Sequence, residues 1–139
     1  MRILLPLAVL AALPACATTT VDDDLDGRED VAVPACPTET RNWKAWVNAM
    51  PGPDARPTLI VQGEALMPEM SSVTMAEGPL DRRMPPGQRI SIGAEPSQKA
   101  AGWQIARIEI APALTEYREV VIHCDGAEVA RVSPVEIAQ

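Results

Sequence analysis

Asp125-Gly126 sits between two runs rich in branched apolar residues, within residues 117–132. An Asp-Gly pair in that setting signals a β-hairpin, because a two-residue primed turn needs positive φ at both central positions. The implied register sets Cys124 opposite Ala127, His123 opposite Glu128 and Ile122 opposite Val129. One face then carries Val120, Ile122, Cys124, Ala127 and Val129 and is expected to be buried. The other carries Val121, His123, Glu128 and Ala130.

From Arg41 onward the chain reads as short apolar stretches cut by proline and glycine, which leaves little room for long helices. Residues 41–50 hold Trp43, Trp46, Val47 and Met50. A helix would put Trp43, Val47 and Met50 on one face. A strand would put Trp43, Ala45 and Val47 on one face and turn Trp46 the other way. The strand is preferred, because the segment runs into the turn Pro51-Gly52-Pro53 and its neighbours are strand-like. Residues 58–67 form a branched run ended by Pro68. Residues 72–77 alternate Val73 and Met75 with polar neighbours. Residues 78–87, with three prolines among them (Pro79, Pro85 and Pro86), read as a loop. Residues 88–95 alternate again, with Ile90 and Ile92 on one side. Residues 103–111 change phase, since Trp103 and Ile105 share one parity and Ile108 and Ile110 the other. A bulge near Ala106-Arg107 would account for the change. The expected fold is all-β, a small sandwich of about seven strands whose spacing resembles the immunoglobulin type. The Cys-Trp-Cys pattern of antibody domains is not met, because Cys36 would precede the first strand. Phe is absent and Tyr117 is the single tyrosine, so the core must be aliphatic with three tryptophans.

The N-terminus carries an address. Residues 1–16 read MRILLPLAVLAALPAC: Arg2, an apolar run over residues 3–13, then Leu13-Pro14-Ala15-Cys16. The run suits a signal h-region and falls well short of the ~20 residues a membrane-spanning helix needs. This segment resembles the export signal of bacterial lipoproteins. The resemblance implies removal of residues 1–15 and acylation of Cys16, which anchors the chain in a membrane. The alternative is a secreted protein cut near Ala17. Ala17, where some lipoproteins have Asp, resembles those sent to the periplasmic face of the outer membrane. Residues 16–35 then form the lipidated N-terminus and a flexible acidic tether, and residues 36–139 the sandwich. With Cys16 taken by lipid and the compartment oxidising, Cys36 and Cys124 are expected to form a disulfide. Free thiols, or a metal pair with His123, are the alternatives, though a closed zinc site would lack its fourth ligand.

The chain is acidic, with a formal charge of −7. No basic stripe interrupts it, so nucleic acid is not an expected partner. Asp22, Asp24, Asp26 and Asp30, with Gly27 at the sixth position, resemble a calcium loop. The twelfth position is Val33 and not a carboxylate, and an acidic spacer explains the run equally well. His123 is the only histidine, so any histidine-dependent hydrolase or transferase chemistry must use it. No G-x-S-x-G, H-E-x-x-H or phosphate-loop motif accompanies it. A cross-strand pair with Glu128 is the simpler role. Trp43, Trp46 and Trp103 are either core pieces or an aromatic platform for sugar or peptide, and Trp46 is the one expected on an outer face as a binding residue. Arg82 and Arg83, on a proline-stiffened loop, suit recognition of carboxylates in a partner, or mark a solvated hairpin tip. The expected function is a lipid-anchored, non-enzymatic binding module of the cell envelope, with no cofactor and with a protein or envelope component as partner. The alternatives are a small hydrolase or transferase using His123, and a structural spacer.

Overall fold

The computed structural model describes residues 36–139. Cys16 and the aspartates at 22, 24, 26 and 30 lie outside the described residues, as do the signal and the acidic tether. The described chain forms β1 (Glu39–Asn48), β2 (Thr58–Met67), β3 (Ser71–Leu80), β4 (Gly87–Pro96), β5 (Gly102–Ile110), β6 (Glu119–Cys124), β7 (Ala127–Val132) and β8 (Glu136–Ala138). They make two four-stranded sheets. The first runs β5-β2-β1-β8, the second β3-β4-β6-β7.

This is the expected all-β sandwich, with the short β8 as an added strand. The sheets are mixed, because β1 pairs with β8 and β4 with β6 in parallel. Immunoglobulin sheets are antiparallel, so the likeness extends to the two-layer architecture and not to strand order. Tyr117, just before β6, is buried and its Oη accepts a hydrogen bond from the Leu114 N–H at 2.9 Å. That return to the upstream backbone is similar to the tyrosine corner of immunoglobulin-type sandwiches.

Alternation builds the core. In β2 the inward residues are Leu59, Val61, Gly63, Ala65 and Met67, all buried. Val47 and Ala45 of β1 lie beside them on the same inner face, as do Ala106 and Ile110 of β5. From the second sheet come Ile90, Ile92, Val120 and Ile122. Burying each such aliphatic side chain contributes roughly 1.5–3 kcal/mol. The strand preferred for residues 41–50 is present and ends at Asn48. A bulge between Arg41 and Lys44, with Asn42 at φ 56°, lays Trp43 over Gly63. A Cβ on Gly63 would lie 2.4 Å from the Trp43 ring, so only glycine admits this packing.

Three sequence expectations are corrected. The β2–β5 register is unbroken from Met67↔Gly102 to Leu59↔Ile110, so there is no bulge at Ala106-Arg107. The change of phase has another cause: Trp103 and Ile105 point outward, and Ile105 is 67% exposed. The loop assigned to residues 78–87 is shorter, because β3 continues to Leu80 through an irregularity between Glu77 and Leu80. Buried Gln88 supports that irregularity by donating to the Gly78 carbonyl at 2.7 Å. In the hairpin, Asp125 (φ 49°) and Gly126 (φ 79°) make the expected turn, and His123↔Glu128 and Cys124↔Ala127 pair as expected. The register then shifts, and Ile122 pairs with Ala130 and not Val129. Ala130 and Val132 therefore pack on the core while Val129 is exposed.

The expected disulfide is present. Cys36 and Cys124 are bridged with Cα atoms 5.8 Å apart, across a sequence separation of 88. It ties the start of the folded chain to the end of β6. Along the seam between β3 and β5, Gln104 donates to the Ser71 carbonyl at 2.9 Å and accepts from the Val73 N–H at 3.2 Å. A side-chain amide thus occupies backbone groups that an edge strand would otherwise offer to another chain.

Candidate functional site

The outer face of the second sheet gathers most of the chemistry that the sequence singled out. Parallel pairing sets Arg89 beside Val121 and Ser91 beside His123. The β6–β7 hairpin sets Glu128 on the other side of His123. Above them folds the loop of residues 81–86, which joins β3 to β4.

Asp81 organises that loop. Its Oδ1 accepts from the Gly87 N–H at 2.8 Å and the Arg83 N–H at 3.1 Å, and its own N–H donates to the Gly87 carbonyl at 2.9 Å. Its Oδ2 accepts from Arg118 Nη2 at 2.7 Å. A Cβ at Gly87 would lie 2.9 Å from that Oδ2, so glycine permits the close approach. The loop is thereby fixed from within, and it presents Arg82, Arg83 and Met84 outward. Met84 is 89% exposed.

Arg118 also donates to Glu119 at 2.7 Å. Glu119 in turn accepts from Arg131, and Arg131 holds Glu128 with two bonds, at 2.7 and 3.0 Å. The chain Asp81–Arg118–Glu119–Arg131–Glu128 is continuous across β6 and β7. Its carboxylates are held below their ordinary range. For Asp81 the main cause is the Gly87 N–H, for Glu119 the Arg118 guanidinium, and for Glu128 the Arg131 guanidinium. The two arginines are held above theirs, Arg118 chiefly by Glu119 and Arg131 chiefly by Glu128.

Arg82, Arg83 and Arg89 stand outside this chain. None has an ion-pair partner among the described residues. Together with His123 they border an open hollow of about 420 Å³, whose remaining walls include Arg131 and Val121. Guanidinium groups without carboxylates are suited to bidentate recognition of carboxylates brought by a ligand.

His123 is half-buried on this open face. It shares a row with Ser91 and Glu128, yet no hydrogen bond of its imidazole joins it to the side chain of either. Nucleophilic catalysis needs a base hydrogen-bonded to its nucleophile and oriented by a third group. Among the described residues no cluster of three His, Cys, Asp or Glu side chains could hold a metal ion.

The other expected binding residue lies elsewhere. Trp46 is on the outer face of the first sheet, turned away from Trp43 and Val47 as the strand reading required, and it is half-buried. It borders a separate hollow of about 560 Å³, with Gln62, Glu64 and Ile105. The structure therefore brings Arg82 and Arg83 together with His123, and leaves Trp46 on the opposite face. Sequence reasoning did not identify Arg89, Arg118, Glu119 and Arg131 as site residues. Alternation in β4 placed Arg89 opposite in parity to Ile90 and was a usable signal. Nothing local revealed that β4 pairs with β6 in parallel, which is what delivers Arg89 to His123.

The chain matches no family model, no curated protein and no solved structure.

Proposed function

We propose that this chain is a lipid-anchored envelope protein whose sandwich is a non-enzymatic binding module for an acidic protein partner. Acylated Cys16 holds it on the periplasmic face of the outer membrane, and the partner is an envelope component or an enzyme that it assists or inhibits. One observation carries the binding reading. Arg82 and Arg83, on a loop that Asp81 fixes in advance, and Arg89 of β4 border an open hollow, and none of the three has an ion-pair partner among the described residues. A preorganised loop avoids part of the ordering cost of association. Exposed Met84, next to Arg83 on the same loop, adds an apolar contact beside the charged groups.

The interleaved carboxylates Asp81, Glu119 and Glu128 favour a discrete acidic protein surface over a uniform phosphate backbone. The alternative, a hydrolase or transferase using His123, draws its support from the row Ser91–His123–Glu128.

Paired substitutions separate the two. His123→Ala is expected to leave partner capture and any cellular phenotype intact, while Arg82→Glu with Arg83→Glu abolishes both. The opposite pattern, with an unchanged fold, would establish the enzyme. The anchor is tested by the intact mass of the native product from membranes. Acyl groups on Cys16 are expected, and an unmodified N-terminal methionine would refute the anchor.

A further inference from the structure

We infer that the outer face of the first sheet carries a second binding site, whose ligand is a neutral saccharide. It does not depend on the acidic-partner reading of the opposite face.

The site is the hollow of about 560 Å³ beside Trp46, a size within the ~300–1,000 Å³ usual for small-molecule sites. Lys44 and Trp46 of β1 reach this face beside Gln62 and Ile60 of β2. Between Arg41 and Lys44 two residues of β1, Asn42 and Trp43, stand opposite the single Gly63 of β2. A bulge of this kind re-aims side chains and is common beside sites.

Hydrogen-bonding capacity is the first argument. Trp46 Nε1, Lys44 Nζ and Gln62 Nε2 donate to no group among the described residues, although all three side chains border the hollow. Gln62 is engaged through its Oε1 alone, which accepts from Arg107 at 2.7 Å. Glu64 is engaged through one oxygen: Arg41 and Asn42 both donate to its Oε2, at 2.8 and 2.6 Å, and its Oε1 accepts nothing. Unused donors beside an unused acceptor match hydroxyl groups, each of which donates and accepts at once. Buried polar atoms without a partner are rare in folded proteins. Among the described residues the one such side-chain atom is Trp43 Nε1, and Trp43 borders this hollow.

Charge and shape are the second argument. Lys44 and Glu64 oppose each other in sign, and Arg107 is held by Gln62 and Glu109. An adjoining hollow of about 260 Å³ shares Trp43, Lys44 and Trp46 and adds Glu136. The face therefore has no surplus of positive charge for an acidic ligand, unlike the face that bears Arg82, Arg83 and Arg89. Trp46 is half-buried, and Arg107 braces its indole from 5.8 Å. The C–H face of a pyranose packs on the electron-rich face of an indole, while its hydroxyls meet the side chains around it. The two hollows together give an oligosaccharide room for more than one sugar unit. An extended peptide would seek unpaired backbone, but β1 and β2 pair with each other through Lys44↔Gln62 and Trp46↔Ile60.

Calorimetric titration of the full chain tests the site, with maltotriose, cellotriose and tri-N-acetylchitotriose as neutral probes and trigalacturonic acid as the acidic one. At least one neutral probe is expected to bind with a Kd of about 1 mM or tighter, and equally well in low and high salt. Trp46→Ala should weaken that binding at least about tenfold. Gln62→Leu, a milder change on the same face, should weaken it about threefold to tenfold and serves alone if Trp46→Ala does not fold. No neutral probe bound at about 10 mM, tighter binding of trigalacturonic acid, or binding indifferent to these substitutions would overturn the assignment. Loss of the sugar on changing Arg82 and Arg83 to Glu would also overturn it, by moving the site to the opposite face.

Discussion

The two outer faces of the sandwich treat their arginines differently. On the first sheet, Arg41 donates to Glu64 at 2.8 Å and lies 3.7 Å from the centre of the Trp103 ring. Arg107 donates to Gln62 at 2.7 Å and to Glu109 at 3.1 Å. Every arginine on that face is answered by the face itself. On the second sheet, Arg118 and Arg131 hold all three carboxylates of the hollow, and Arg82, Arg83 and Arg89 are left over. The faces differ in how charge is allocated. Since an exposed ion pair contributes little to stability, leaving three guanidinium groups unanswered costs the fold little and leaves them available to a partner.

Several substitutions would break or sharpen that contrast. The largest expected effect comes from Cys36→Ser with Cys124→Ser, which should lower stability by about 2–5 kcal/mol in urea unfolding. Both faces depend on this bridge, so tryptophan fluorescence and circular dichroism should report one lowered transition; unchanged stability would refute a structural role for it. Next is Gly63→Ala, whose Cβ would collide with the Trp43 ring. Overpacking of that kind costs about 1–3 kcal/mol. It acts beneath the first sheet and should leave partner binding at the second unchanged once the protein is folded.

Charge reversal addresses the contrast itself. Arg82→Glu with Arg83→Glu should weaken partner binding at least about tenfold, or 1.4 kcal/mol, with stability altered by no more than about 0.5 kcal/mol. Arg41→Glu with Arg107→Glu should do the reverse, lowering stability and sparing binding. Equal loss of binding from both pairs would erase the distinction between the faces.

The smallest effect is that of pH. Asp81, Glu119 and Glu128 have lowered values in the folded protein, against ordinary values of 3.8 for aspartate and 4.5 for glutamate. A lowered carboxyl contributes stability that is fully present above the ordinary value and is lost as pH falls through the folded one. Unfolding midpoints should therefore hold steady down to the ordinary carboxyl range and fall below it. Substituting Arg118 and Arg131 with Met should flatten the acid limb.

Much of this fold was legible because alternation reports burial directly. β2 and β4 follow the period of two almost residue by residue, and the Asp125-Gly126 turn with its first pairs is as the sequence implied. The errors arose where an outer face is apolar or a pairing is non-local. Trp103 and Ile105 look like core residues but lie outside, with Arg41 over the Trp103 ring, and this imitated a bulge in β5. The shift at Val129 is invisible locally, because Val129, Ala130 and Val132 are all apolar. The site was half legible. Arg82, Arg83 and His123 stood out by residue type, but their convergence depends on the parallel pairing of β4 with β6, which leaves no local trace.

Two exposed apolar side chains sample the two faces and allow a direct test: Met84, 89% exposed on the loop that carries Arg82 and Arg83, and Ile105, 67% exposed on the first sheet. A photo-crosslinking residue is placed at either position in the full chain in intact cells, and the adducts are identified by mass spectrometry. The account predicts a recurrent acidic protein at position 84, lost when Arg82 and Arg83 are changed to Glu, and no such adduct at position 105. A recurrent adduct at 105 with none at 84, or one at 84 indifferent to the arginines, would contradict it.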